Sequence, residues 1–142
     1  MSDLITFLRA RLNEDEQVAR AAAEAPWEST VPGMVHVSAA AIAKNPNAWG
    51  KLGYVAQADN EAYRDHIARH DPARVLREVE AKRQILDEHA AVADPYSPTG
   101  SVCKTCNDGG LPVEPACSPC RTLRLLALPY ADHDDYEEDW RP

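Results

Sequence analysis

Four cysteines, the only ones in this 142-residue chain, stand as two C-x-x-C pairs. Cys103-Lys-Thr-Cys106 is followed after ten residues by Cys117-Ser-Pro-Cys120. Two residues between cysteines let a tight backbone loop turn both sulfurs toward one ion. A second such loop completes a tetrahedral set, with metal–sulfur distances of roughly 2.3 Å for zinc. The flanks suit such loops. Asn107-Asp-Gly-Gly110 supplies glycine for left-handed turns, and Pro112, Pro115 and Pro119 stiffen the return. Cys103, Cys106, Cys117 and Cys120 therefore predict a structural Zn²⁺ site of four thiolates, with formal charge −2. The metal would order the irregular stretch from about residue 94 to 120.

Three other readings of the thiols are weaker. Disulfides need an oxidising compartment, and Met1-Ser-Asp-Leu-Ile-Thr-Phe7 has neither a basic start nor a long apolar run. The chain thus reads as cytoplasmic, with its thiols reduced. A thioredoxin-type pair follows a buried strand and opens a helix, and Pro95-Tyr-Ser-Pro-Thr-Gly-Ser-Val102 does not read as such a strand. An iron–sulfur cluster is compatible with four thiolates but has no specific support.

The chemistry such a site could perform is limited. Catalytic zinc keeps a coordination position open, whereas four thiolates close it. Zinc deaminases pair P-C-x-x-C with an upstream H-x-E, and none of the five histidines begins H-x-E. His66 and His70 are spaced i,i+4 but lack the glutamate of H-E-x-x-H, and His70 beside Asp71 reads as a local hydrogen bond or cap. His133 is an alternative ligand should one cysteine pair be incomplete. Nucleophile-elbow and phosphate-loop motifs are absent. No catalytic residue is assigned, and the chain reads as non-enzymatic.

The elements that must hold this loop are legible in part. Leu4, Leu8 and Leu12 with Ile5 form an apolar stripe that Val18, Ala19, Ala22 and Ala23 continue, giving a helix over 3–24. Pro26-Trp27 ends it, and Trp27 is expected to pack back on it. Met34-Val-His-Val-Ser38 alternates as a half-buried strand does, and Lys51–Gln57 can pair with it around turn residues 44–50. Ala39–Ala43 could be a helical turn. Asp59 or Asn60 caps a helix from Glu61 to about His70. Asp71-Pro72 then opens a long helix to about Val92, with Val75, Leu76, Val79, Leu86 and Ala90 as its buried stripe. This helix is expected to be the spine of the fold. Residues 94–100 read as a loop, and Arg121–Leu128 as an apolar helix stopped by Pro129. The fold class is α+β: an α-rich single domain with a small antiparallel hairpin at about 31–58 and a zinc-bound loop. Residues 1–93 form its helical part and 94–142 the metal loop and C-terminal helix on the same core.

The composition bounds the partners. Net charge is −8, so nucleic acid is disfavoured. The basic strip at 64–83 is interleaved with acids and reads as a solvated helix face. An alternative is a nucleic-acid-associated zinc protein using Arg64, Arg69, Arg74, Arg77, Lys104, Arg121 and Arg124. No apolar run approaches the ~20 residues of a membrane span. One phenylalanine and many alanines make a modest core, which gains from a metal staple or a homo-oligomer. The closing stretch Asp132–Pro142 holds six acids against one arginine. There Tyr130, Tyr136 and Trp140 are candidate anchors for a protein partner with a basic surface.

Three segments together resemble a known group: His66–Leu86, Cys120-Arg-Thr-Leu-Arg-Leu-Leu-Ala-Leu-Pro-Tyr-Ala-Asp-His133, and Asp135-Tyr-Glu-Glu-Asp-Trp-Arg-Pro142. Phe7–Gln17 and Pro26-Trp27 fit the same pattern. The chain resembles a domain-of-unknown-function family of small proteins from high-GC Gram-positive bacteria and their phages. The resemblance implies a phage or mobile-element association and supplies no activity or catalytic residue. The reading reached is a small zinc-binding protein acting as a protein-interaction module.

Overall fold

The computed structural model describes residues 3–22, 25–30, 33–45, 54–107 and 118–142. The architecture is mixed, with five α-helices and two small antiparallel sheets among these residues. The chain divides into two compact units, Met1–Asn13 with Glu80–Pro142, and Glu14–Val79.

Helix α1 spans Asp3–Ala21. Leu4, Leu8 and Leu12 are buried, as their i,i+4 spacing requires. The expected continuation of the stripe fails at Val18, which is 71% exposed, while Ala19 is buried. The helix also ends earlier than 24, with Pro26 just ahead, and Trp27 opens a strand while lining one cleft with Val18 and Ala19 of α1.

In the second unit, β1 (Trp27–Thr30), β2 (Met34–Val37) and β3 (Tyr54–Gln57) form one sheet in that order, both pairs antiparallel. Val35 and Val37 on the central strand are buried and Met34 and His36 half-buried, the alternation read in the sequence. Gly33 takes φ +83° at the turn from β1 to β2, a conformation glycine adopts without strain. The expected turn at 44–50 and the first half of the second strand lie largely outside the described residues. Ala39–Ala43 is indeed helical, within α2 (Ala39–Lys44), whose N-cap Ser38 accepts the Ala41 N–H at 3.2 Å.

Helix α3 (Glu61–Arg69) lies against β1 and β2, capped by Asn60, which accepts the Ala62 N–H at 2.8 Å. Asp71 then caps α4 (Pro72–Glu88): its Oδ1 accepts the Arg74 N–H at 2.8 Å, and its Oδ2 the Trp27 N–H at 3.3 Å. The acid-proline signal is thus a cap that also ties the helix start to β1. Of the expected α4 stripe, Val79 and Leu86 are buried and Val75 and Leu76 half-buried.

Two expectations for the C-terminal half are corrected. Helix α4 stops at Glu88 and not Val92, and Ala91–Ala93 is a strand, β4. The stretch before the first cysteine pair is not all loop, because Ser101–Cys103 forms β5, antiparallel to β4. Ala, Val and Ser in three-residue strands carry too short a period to read. Between the strands, Asp94 Oδ1 accepts the Tyr96 N–H, and Ser97 and Thr99 donate to the Ser101 carbonyl. Helix α5 spans Arg121–Ala127, followed by 3₁₀ turns at Leu128–Tyr130 and Glu138–Trp140. Leu123 and Ala127 are buried, whereas Leu125 is exposed.

Candidate metal centre

Three short elements of the first unit bring four metal-ligating atoms together. The residue just past α4 supplies His89, the end of β5 and the turn after it supply Cys103 and Cys106, and the N-cap of α5 supplies Cys120. Local hydrogen bonds fix each piece. The Lys104 N–H donates to the Ala90 carbonyl at 2.9 Å, extending the β4–β5 ladder. The Thr105 hydroxyl donates to the Glu88 carbonyl, one of the groups left unpaired at a helix end. The Arg124 N–H donates to the Cys120 carbonyl at 3.2 Å and starts α5 at the cysteine.

The four donor atoms lie within 4.8 Å of one another. His89 Nδ1 is 3.3 Å from Cys103 Sγ and 3.5 Å from the sulfurs of Cys106 and Cys120. A tetrahedral zinc with bonds of roughly 2.3 Å to sulfur and 2.0–2.1 Å to nitrogen has nitrogen–sulfur edges of about 3.5 Å. The nitrogen–sulfur distances therefore match the edges of a coordination shell. Cys103, Cys106 and Cys120 are free thiols, and no disulfide links them. Cys117, the fourth ligand expected from spacing, lies outside the described residues.

The electrostatics favour a cation at the centre. Burial works to raise the Cys103 thiol, but the backbone N–H groups of Cys106 and Thr105, with His89, overcome it and draw the pKa down to about 7. Burial, then the neighbouring Cys103 and Cys120 sulfurs, push Cys106 up to about 12. Packed thiols cannot all ionise beside one another, and a divalent ion removes that conflict by replacing the shared protons. Three thiolates around Zn²⁺ would carry a formal charge of −1, not the −2 of four.

His89 was hidden in the sequence by the reading of α4 as continuing to Val92. The signal available was the fading of the apolar stripe after Leu86, where Glu88-His-Ala-Ala91 suits a helix or a strand equally. The other candidate residues are not members of this ligand group. His70 Nδ1 donates to the His66 carbonyl at 2.7 Å, the local bond expected. His133 packs edge-on against Phe7 at 5.7 Å and contacts Arg11. Tyr130, Tyr136 and Trp140 also gather on Phe7, with ring centroids 6.3, 6.0 and 5.0 Å away. Trp140 is buried, the two tyrosines are half-buried, and the six acids from Asp132 to Asp139 are exposed.

Fold and cluster together define a small α+β protein whose one imidazole and three thiols could hold a metal ion. Residues 1–142 match the model of a family of unknown function, DUF6221, and the chain belongs to that family. No curated protein and no solved structure matches it. No helix among the described residues is long and apolar enough to cross a membrane.

Proposed function

We propose that this is a non-enzymatic protein-interaction module whose C-terminal half is stapled by a structural Zn²⁺. The observation that carries the reading is the set of distances from His89 Nδ1 to three sulfurs, which completes four ligands and leaves no position for substrate or water. His89, Cys103, Cys106 and Cys120 hold the ion. The ion's part is folding energy, of the order of 10–16 kcal/mol in small zinc modules. Reduced thiols are what such a site requires, which suits a cytoplasmic compartment. The phage association implied by the resemblance belongs to the same proposal.

For the interaction role, the support is charge and the lack of catalytic motifs. The C-terminal segment presents Asp132, Asp134, Asp135, Glu137, Glu138 and Asp139 to solvent, with Tyr130 and Tyr136 half-exposed beside them. This surface would steer a basic partner. Three arginines of the nucleic-acid alternative are instead engaged within their own units. Arg64 donates to the Ala58 carbonyl at 2.7 Å, Arg74 pairs with Glu78 at 2.7 Å, and Arg124 donates to the carbonyls of Pro119 and Asp139.

Metal analysis of protein purified under reducing conditions tests the core of the reading. About one equivalent of zinc is expected, and cobalt substitution should give tetrahedral bands with thiolate charge transfer. Less than half an equivalent, or octahedral cobalt, would overturn it. Recovery of a basic protein partner that weakens with salt and is lost when the exposed Asp132, Asp134, Glu137 and Asp139 are neutralised to Asn or Gln, with Trp140 left in place, tests the acidic segment.

A further inference from the structure

We propose that the outer edge of β4 accepts an extended segment of a partner protein as a third strand, with an uncharged side chain of that segment entering the adjoining cleft. This rests on the interaction reading above and names the partner's chemistry. The argument begins with the ladder. The Asp94 N–H donates to the Gly100 carbonyl and the Lys104 N–H to the Ala90 carbonyl, bracketing the register Ala91↔Cys103, Val92↔Val102, Ala93↔Ser101. Main-chain groups alternate in direction along an antiparallel strand, so those of Ala91 and Ala93 point away from β5. Two N–H and two C=O groups thus lie on the outer edge, and all three β4 residues are exposed.

The opposite edge is closed. The Ser101 carbonyl accepts from Ser97, Thr99 and the Ser118 N–H, and the Cys103 carbonyl accepts from the Asn107 N–H. Proteins blunt an open edge by keeping it short or with lysine, proline or a bulge; β4 is short, at three residues, but Ala91-Val92-Ala93 carries none of the others. Such an edge is a template for strand addition, where main-chain bonds give affinity and pockets for alternate side chains give selectivity.

A pocket is in place. A cleft of about 590 Å³ is lined by Ile5, Ala91, Ala93, Thr99, Ser118 and Pro119 among others, and no charged residue among the described ones lines it. Ala91 and Ala93 share one face of β4, so alternate side chains of an added strand would project on the cleft side. The Ser118 hydroxyl, on a residue 6% exposed, has no hydrogen-bond partner among the described residues. An incoming small polar or apolar side chain suits this wall, and a charged one would lose its water with no counter-charge among the described residues. A second copy of the chain fits less well. Three-residue strands alone fall far short of the roughly 1,000 Å² of a stable dimer, and each copy carries −8.

The test pans a displayed random nonapeptide library on the full-length, zinc-loaded protein. Peptides with uncharged residues at alternate positions should enrich, and a synthetic copy should bind by fluorescence anisotropy. Ala93→Pro removes an edge N–H that β5 does not use, and Ala91→Asp places a carboxylate in the cleft wall. Each should weaken binding at least tenfold, with zinc content and circular dichroism unchanged. If Ala93→Pro fails to fold, Ala91→Asp carries the test. Enriched peptides that bind both variants as tightly as the native protein would remove strand addition and keep the interaction reading. No enrichment at all would remove strand addition, while the acidic-segment reading stands or falls on its own partner-recovery test. Sedimentation showing a dimer that either variant dissolves would give the edge to a second copy and overturn the proposal.

Discussion

The two sheets of this protein are held by different means. The β1–β2–β3 sheet has four-residue strands, a central strand with both valines buried, and α3 laid against it. The β4–β5 hairpin has three-residue strands, one of them wholly exposed, and ends in a cysteine whose neighbours are two thiols and an imidazole. Apolar burial suffices for the first. The second buries too little to offset the entropy of ordering its residues, and two isolated strands are at best marginal in water. Where a core is too small, ligands substitute for it.

Removing the metal should separate the two most sharply. Chelation under reducing conditions is expected to abolish hydrogen-exchange protection at Val92 and Val102 while Val35 and Val37 keep theirs. Equal loss in both sheets would show that the hairpin and the larger sheet unfold as one. Acid should act in the same direction as chelation. Cys106, pushed up to about 12, carries a proton at neutral pH that a metal must displace, whereas Cys103, drawn down to about 7, gives its proton up more readily. Binding therefore releases protons, and apparent affinity should fall about tenfold per pH unit for each proton released as pH drops. A pH-independent affinity between 6 and 8 would contradict the thiolate ligands.

The ligand set can be sharpened by substitution. His89→Ala should weaken zinc by more than the roughly 10–100-fold that outer partners of ligands carry, measured by chelator competition. Cys117→Ser should cost less than His89→Ala. The reverse order would move the fourth ligand from the histidine to the spacing-predicted cysteine.

In the larger sheet the expected effects are smaller. Asp71→Ala removes a helix cap and the acceptor for the Trp27 N–H, at about 1–2 kcal/mol by denaturant unfolding. Asp71→Asn should recover most of it, because an amide oxygen can also cap. The least effect belongs to Glu138. Its bridges to Arg141, followed by the arginine charge, hold its carboxyl below the usual range. That contribution is present above the unfolded pKa and is lost as pH falls through the folded one. Both groups are fully exposed and screened, so Glu138→Gln should leave the melting temperature unchanged within error.

Legibility followed the same division. The Asp71-Pro72 cap, the Leu4-Leu8-Leu12 stripe and the alternation at 34–37 were readable because each repeats or punctuates within one element. Cys103, Cys106 and Cys120 were readable because thiols are scarce and close in sequence. His89 was not, because thirteen residues separate it from Cys103 and its own neighbours suit a helix. Trp27–Thr30 was missed as a strand since its burial runs half-buried, exposed, exposed, half-buried, without an apolar period. A side chain recruited across a long gap leaves no local trace, whereas caps and periods do.

The imidazole donor sits one residue beyond the end of α4. An α-helix turns about 100° per residue and rises 1.5 Å. Inserting or deleting a single residue between Glu80 and Glu88, the part of α4 that shares a unit with the sulfurs, would swing His89 away from them, while a whole added turn would restore its bearing but shift it by about 5.4 Å. A bound ion would therefore work as a gauge of helix length: it would tolerate exchange of side chains along this part of α4 and register any change in their number.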